Sequence, residues 1–206
     1  GVAVCERAAV EVVEPGRVRA HGAWHEADVV IVAAAAASAR LVPALPIEPR
    51  RGHLVFTDRY PGFLQHQVIE VGYPAHAVSG ASVACNVQPR RTGQLLIGSS
   101  RELVGWDTTI DHGVRGRMLR RASEYVPGLR ALRALRTWVG FRPATPDGLP
   151  LVGEWEPGLI VAAGHEGLGV TTSLGTARIV ADLVTGREMT LDPRPYDPRR
   201  AEVVRD

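Results

Sequence analysis

The sequence predicts a mixed fold, α/β with α+β character, in which an antiparallel-sheet domain interrupts the α/β part. Three observations predict it. Val29 to Ala33 is continuously apolar and β-branched, as a strand covered on both faces should be. From about Pro46 to Arg136, short strand candidates alternate with Gly, Pro and charged turns, the texture of an antiparallel sheet. From Leu159 onward a strand, a glycine-rich loop and a helix follow one another, which is α/β texture again.

The elements follow in chain order. Alternation from Ala3 to Val13 reads as a strand broken at Glu14-Pro15-Gly16; it resumes through Val18 and breaks again at His21-Gly22. Polar Glu26 and Asp28 precede the buried strand. In the middle region the strand candidates are His53 to Thr57, Val68 to Val71, Ala81 to Gln88 and Gln94 to Ser99, with Arg90-Arg91-Thr92-Gly93 as one of the turns. One helix interrupts them, Val114 to Val126, with Met118, Ala122 and Val126 on one face and Pro127-Gly128 at its end. Trp138 to Ala144 is a strand of the returning segment and leads into the turn Thr145-Pro146-Asp147-Gly148. Leu159 to Ala163 is a further strand, and a helix from about Thr172 to Val184 ends at Gly186. From Asp192, prolines among charges predict a loose surface arm.

Composition bounds the function. The 206 residues, 45% hydrophobic and 22% charged, are those of a globular chain, not a disordered or collagen-like one. Every basic residue is an arginine, the formal charge is only +2, and the arginines are scattered, which argues against nucleic-acid binding. The densest arginine cluster, Arg115 to Arg136, reads as the polar face of a helix and its exit. Cys5 and Cys85 form no CxxC pair and imply no metal centre, and their use suits a reducing, cytoplasmic location. The longest apolar run, Val29 to Ala37, is about half of the ~18 residues a membrane span needs.

The chemistry concentrates in two places. Gly164-His165-Glu166-Gly167-Leu168-Gly169 joins a strand to a helix, so bare main chain and a helix start can both approach a ligand. Its glycine order is G-x-x-G-x-G, not the dinucleotide order G-x-G-x-x-G, which disfavours a pyrophosphate there. Gly169 stands where a zinc-protease helix needs its second histidine, and the chain has no G-x-S-x-G nucleophile turn. The second place is Arg142, a guanidinium between Phe141 and Pro143 in an apolar strand, where burial requires an anionic partner. That partner is either a ligand carboxylate or a structural acid such as Asp147 or Glu154.

The run from Trp138 to Gly153, containing Phe141-Arg142-Pro143-Ala144-Thr145-Pro146-Asp147-Gly148, and the run from Gly158 to Thr172 resemble the C-terminal part of the FAD-dependent D-amino-acid oxidase and glycine oxidase family. Ile97-Gly98-Ser99-Ser100-Arg101-Glu102 is most similar to its branch of hydroxyproline, proline and opine dehydrogenases and hydrogen cyanide synthase flavin subunits. The resemblance implies an incomplete FAD-binding Rossmann-like domain with an inserted antiparallel-sheet substrate domain. It assigns residues 1–45 and 138–190 to the FAD-binding part, 46–137 to the substrate domain and 191–206 to the tail.

By the same resemblance, FAD is the cofactor. Val10 lies toward its adenosine end, Ala33 and Ala35 lie on the loop after the buried strand, and Gly164, His165, Glu166, Gly167, Leu168, Gly169, Val170 and Thr171 lie over its ring. Arg142 corresponds to the arginine that pairs with a substrate carboxylate. The implied activity is oxidation of the C–N bond of an amino acid or amine by hydride transfer to flavin, which needs no side-chain base if the amine binds neutral.

Three departures stand out. The G-x-G-x-x-G unit is absent, alanines replace the family's glycine and tryptophan in Ala33 to Ser38, and Gly167 replaces a second arginine of some relatives. The chain is therefore expected to be a truncated part of the enzyme, inactive alone, with its nucleotide-binding half removed or supplied by a partner subunit. The alternative is a non-catalytic remnant or scaffold subunit. A nicotinamide enzyme using Glu188 fails on glycine order.

Overall fold

The computed structural model describes residues 1–71 and 82–202. The chain divides into two compact units, one of residues 1–48 with 142–206 and the other of residues 49–141.

The first unit opens with an antiparallel meander of β1 (Val10–Glu14), β2 (Arg17–Ala20) and β3 (Ala23–Glu26). Glu14-Pro15-Gly16 makes the first turn, with Gly16 at φ 74°. The expected strand from Ala3 is shorter than its alternation suggested. Residues 3–9 pair with nothing and are almost all exposed, and alternation without a face to bury does not hold a strand. β3 was not anticipated because all four of its residues are exposed; Trp24 is instead covered by the Arg17 guanidinium, 4.3 Å from its ring centroid.

A second sheet has the order β10 (Leu151–Glu156), β11 (Leu159–Ala163), β4 (Val30–Val32). β10 and β11 are antiparallel, whereas β11 and β4 are parallel with Val161 opposite Val32. Val30, Val32, Leu45, Ile47, Leu151, Leu159 and Val161 form its core. The expectation that β4 is covered on both faces is corrected, because Ile31 is 45% exposed. After β4 come a 3₁₀ turn, Ala35–Ala37, and the single-turn helix α1 (Ser38–Leu41).

The helix after β11, here called α3 (Gly169–Thr185), starts three residues earlier than expected and ends as expected on Gly186, left-handed at φ 62°. The arm from Asp192 is not loose over its described residues. It forms two 3₁₀ turns, and Pro198 is fully buried against Gly153, where a side chain would leave no room. Arg200 anchors it with hydrogen bonds to Asp147 (2.9 Å) and the Leu149 carbonyl (2.9 Å).

The second unit is built on a five-stranded sheet of order β6 (Val68–Ile69), β7 (Ser82–Pro89), β8 (Leu95–Leu103), β5 (Glu48–Thr57), β9 (Ala134–Ala144). The β6–β7, β7–β8 and β8–β5 pairings are antiparallel, as the turn chemistry predicts. Ala81, the first residue of one expected strand, lies outside the described residues. Helix α2 (His112–Tyr125) is capped by Asp111, which accepts from the Val114 N–H, and buries Val114, Met118 and Ala122. Trp138 to Ala144, expected as a strand of the returning segment, is the second half of β9. Its partner is β5, because an 11-residue strand continues the ladder already begun at Ala134.

This unit also holds a buried ionic cluster that sequence reading missed. Arg51 grips Glu102 through two hydrogen bonds (2.9 and 3.2 Å) and also pairs with Asp107. His53 Nε2 accepts from the Asp111 N–H (3.0 Å), so its proton sits on Nδ1, 3.1 Å from Glu102 and 2.9 Å from Ser100 Oγ. Burial holds the His53 imidazole below its ordinary range and therefore neutral near pH 7.

Candidate functional site

In the first unit a cleft of about 680 Å³ lies between β4 and α3. Arg142 and Pro143, at the end of β9, form one wall, and Ala33 and Ala35, after β4, form another. The loop His165, Glu166, Gly167 and the start of α3 at Gly169 and Val170 complete it. Eight of the twelve sequence-predicted site residues thus meet in one place.

Local hydrogen bonds fix the loop. The Glu166 N–H donates to the Pro143 carbonyl (3.0 Å), tying the loop to the strand that carries Arg142. The Gly167 N–H is taken by Glu166 Oε2 (2.7 Å) and the Leu168 N–H by the His165 carbonyl (3.0 Å). The Arg142 side chain passes over Gly167, where an added Cβ would lie 3.6 Å from Arg142 Nε. A larger residue at Gly167 would share the space Arg142 uses, so the departure at this position shapes the arginine's surroundings.

Among the described residues, two of the four non-glycine residues with positive φ line this cleft, Ala35 at 50° and Glu166 at 50°. Left-handed backbone costs an ordinary residue ~1–2 kcal/mol, and such strain gathers where main chain must be held in an unusual path. At Ala35 it makes the expected loss of glycine concrete, because the backbone has the conformation that glycine favours.

Electrostatics favour an electron-rich guest. α3 starts at Leu168 without a side-chain cap, and its first turn has no acidic residue, so its first N–H groups carry a partial positive charge toward the cleft, with the Glu166 carboxylate held on the Gly167 N–H just before it. Burial pushes the His165 imidazole below its ordinary range, leaving it neutral near pH 7, and Nε2 bonds Thr176 Oγ1 at 2.8 Å. Asp147, one candidate structural partner for Arg142, accepts hydrogen bonds from Arg200.

Four predicted residues lie elsewhere. Leu168 and Thr171 line a neighbouring cleft of about 490 Å³, which shares His165 and Thr176 with the first. Gly164 is buried, and its positive φ (79°) brings it against Thr145 and Leu151 rather than against open space. Val10 is on β1, paired with Ala20 and outside both clefts. Sequence reading missed Ile31, Ser173, Thr176 and Val180 on the cleft wall. Helical spacing from Gly169 through Ser173 and Thr176 to Val180 was the signal that could have found three of them.

Comparison with known proteins gives this geometry a setting. Residues 1–183 match the family of FAD dependent oxidoreductases called DAO. The chain is 32% identical over 177 residues to glycine oxidase from Pseudomonas aeruginosa, covering 83% of this chain and 45% of that protein. It is 29% identical to the hydrogen cyanide synthase subunit HcnC of Pseudomonas protegens over 76% of this chain and 35% of that one. The crystal structure of glycine oxidase from Geobacillus kaustophilus superimposes with a TM-score of 0.75 at 32% identity, over 91% of this chain and 50% of that one. The chain therefore spans about half the length of the curated relatives it matches.

The residues present fit one end of FAD. A helix start without a side-chain cap and a largely apolar cleft into which Gly167 and Gly169 bring main chain suit the ring, whereas the chain has no G-x-G-x-x-G unit to hold the pyrophosphate. The chain belongs to the DAO family of FAD-dependent oxidoreductases.

Proposed function

We propose that this chain forms the substrate side and the ring-facing loop of a flavoenzyme that oxidises the C–N bond of an amino acid or related amine. Residues 1–48 and 142–190 serve as its part of the FAD-binding domain, and residues 49–141 are the substrate domain. The observation that carries this reading is the convergence of Arg142, the loop His165–Gly167 and the uncapped start of α3 on one cleft.

In this reading the loop and the first turn of α3 hold the pyrimidine side of the flavin ring, and Ala33 and Ala35 bound it from the other wall. When bound, the flavin supplies the two-electron acceptor for the substrate. Arg142 holds the substrate carboxylate in a bidentate pair, which fixes the α-carbon's orientation while leaving the amine unconstrained. The partial positive charge of the helix start stabilises negative charge that develops beside it during oxidation. His165 is neutral and bonded to Thr176, so it orients the loop without adding a second cation. No side chain is assigned as a base. Oxidation leaves an imine, which water hydrolyses.

The test is steady-state kinetics of the complete flavoprotein with an amino acid and with the corresponding amine lacking the carboxylate. Arg142→Ala is expected to raise KM for the amino acid with a loss of about 2–4 kcal/mol in kcat/KM, and to leave the amine within about threefold. Equal losses on both substrates would remove the carboxylate assignment.

A further inference from the structure

The arginine cluster from Arg115 to Arg136 has no part in the proposed function, yet two of its members line a separate cleft of about 580 Å³. This cleft lies wholly within the unit of residues 49–141, among α2, the 3₁₀ turn Pro127–Ala131 and strands β5, β8 and β9. Val55, Ile97 and Leu129 are buried and make its floor, with the half-buried Leu119 and Leu132 beside them. The hydroxyls that line it are already engaged. Thr57 Oγ1 donates to the Asp58 carbonyl (2.7 Å) and accepts from the Leu95 N–H (2.9 Å), and Ser123 Oγ donates to the Leu119 carbonyl (2.8 Å). The floor therefore offers a guest apolar contact and no hydroxyl proton.

The rim has the opposite character. Arg120, on α2, and Arg130, on the 3₁₀ turn, are exposed, line the cleft and take part in no ion pair among the described residues. Their neighbour Arg121 differs, because it pairs with both Glu70 and Glu124. Glu124 is the one acid between Arg115 and Arg136, and no carboxylate lines the cleft. Two uncommitted guanidiniums above an apolar floor are complementary to an anionic head on an apolar body. The volume lies within the ~300–1,000 Å³ of small-molecule sites.

We propose that this cleft is a binding site for a free medium-chain carboxylate, its alkyl chain on Val55, Ile97 and Leu129 and its head between Arg120 and Arg130. The order of the groups selects a free amphiphile over a membrane surface. Apolar residues lie deep and cations lie at the mouth, so the guest enters tail first, whereas a lipid in a bilayer presents its head. The site shares no residue with the cleft at Arg142 and does not rest on the proposed function.

Isothermal titration calorimetry of the 206-residue chain with decanoate, below its micelle concentration, tests this. One saturable site with a Kd below ~0.1 mM is expected. Octanoate, which buries two methylenes fewer, is expected to bind about tenfold more weakly. Decanol and decyltrimethylammonium lack the head that the arginines take and are expected to bind at least ~30-fold more weakly than decanoate. Arg120→Gln with Arg130→Gln is expected to weaken decanoate at least ~10-fold, and Ala134→Phe, which fills the cleft from β9, to remove the site. Decanoate binding is expected to be unchanged in Arg142→Ala and retained in the complete flavoprotein.

No saturable heat, or an equal decanoate Kd in the chain and the double arginine variant, overturns the proposal. Equal affinity for decanol overturns it as well, because that is apolar adsorption without a head site. Decanoate bound undiminished by a folded Ala134→Phe puts the guest elsewhere; if that variant fails to fold, the exposed arginine pair still decides. Loss of binding in Arg142→Ala moves the carboxylate to the other cleft and overturns the proposal while keeping the proposed function. Arginine-dependent binding to phosphatidylglycerol vesicles without decanoate binding would make the rim a membrane-facing surface. Loss of the site in the complete flavoprotein would make the rest of the enzyme its occupant, and a dimer that Ala134→Phe dissociates would make a second copy the occupant. Each of these three results overturns the proposal.

Discussion

Gly164 and Gly186 are both left-handed, at φ 79° and 62°, yet they stand in opposite surroundings. A Cβ built at Gly186 meets nothing within 4 Å, whereas one at Gly164 lies 2.7 Å from Thr145 Cγ2 and 3.3 Å from the Leu151 main-chain nitrogen. Gly186→Ala therefore reports the backbone cost alone, about 1 kcal/mol. Gly164→Ala adds an overlap with a buried methyl and with main chain that cannot swing aside, a further ~1–3 kcal/mol, for about 3 kcal/mol in all. Urea unfolding followed by circular dichroism separates the two. With a slope of ~2 kcal/mol per molar urea, the midpoint falls by ~0.5 M for Gly186→Ala and ~1.5 M for Gly164→Ala. Equal shifts, or a Gly164→Ala cost below ~1 kcal/mol, would refute the claim that this glycine is required by packing beneath the loop.

Two further outcomes follow from the same geometry. Ala35→Gly should stabilise the chain by up to ~1 kcal/mol, because the strain of an alanine at φ 50° exceeds the entropic cost of glycine; a loss in urea midpoint would contradict the left-handed assignment. His53 and His165 are both held below their ordinary pKa of 6.5 by burial, so on acidification the unfolded chain takes up protons before the folded one does. Their contribution to stability is complete above about pH 6.5 and declines below it, at no more than ~1.4 kcal/mol per pH unit for each histidine. His165→Gln should flatten this limb in pH-dependent unfolding. It should spare the separate loss below about pH 4 to which Asp182 contributes, held low by the Thr190 N–H and then by Arg178. An unaltered slope between pH 5 and 6.5 would show that His165 is not buried as described.

The parts of the fold that were legible are those in which local chemistry and burial agree. Gly186 ends α3, Met118 and Ala122 mark the inner face of α2, and the Gly-rich turns separate antiparallel strands, because each signal is a backbone or packing demand made by a single residue or spacing. The meander strand β3 was hidden because an all-exposed strand has no alternation to show, its Trp24 being covered by an arginine rather than by a core. The tail was misread because prolines among charges look unstructured, although Pro198 fills the space left by Gly153, far earlier in the chain on the fold's small sheet. That is a long-range fit, which no local pattern encodes.

The site was legible in a similar, partial way. Arg142 declared itself as a charge in an apolar strand, and the glycine-rich loop announced close main-chain approach. Gly164 was assigned to the ligand because a positive-φ glycine looks the same in sequence whether a cofactor or a threonine methyl comes near. Ile31 was assigned to a two-sided core for a related reason. Its apolarity is real, but its side chain lines the cleft rather than a packed core.

The central claim is that the cleft beside α3 receives an amino-acid carboxylate at Arg142 next to a flavin ring. Its most direct test is titration of the complete flavoprotein with glycolate, a small carboxylate without an amine, followed through the flavin absorbance band. The account predicts saturable perturbation of the band and a Kd at least ~30-fold weaker in Arg142→Ala, equivalent to ~2 kcal/mol, with unchanged FAD content. Equal Kd values in the two proteins would contradict it.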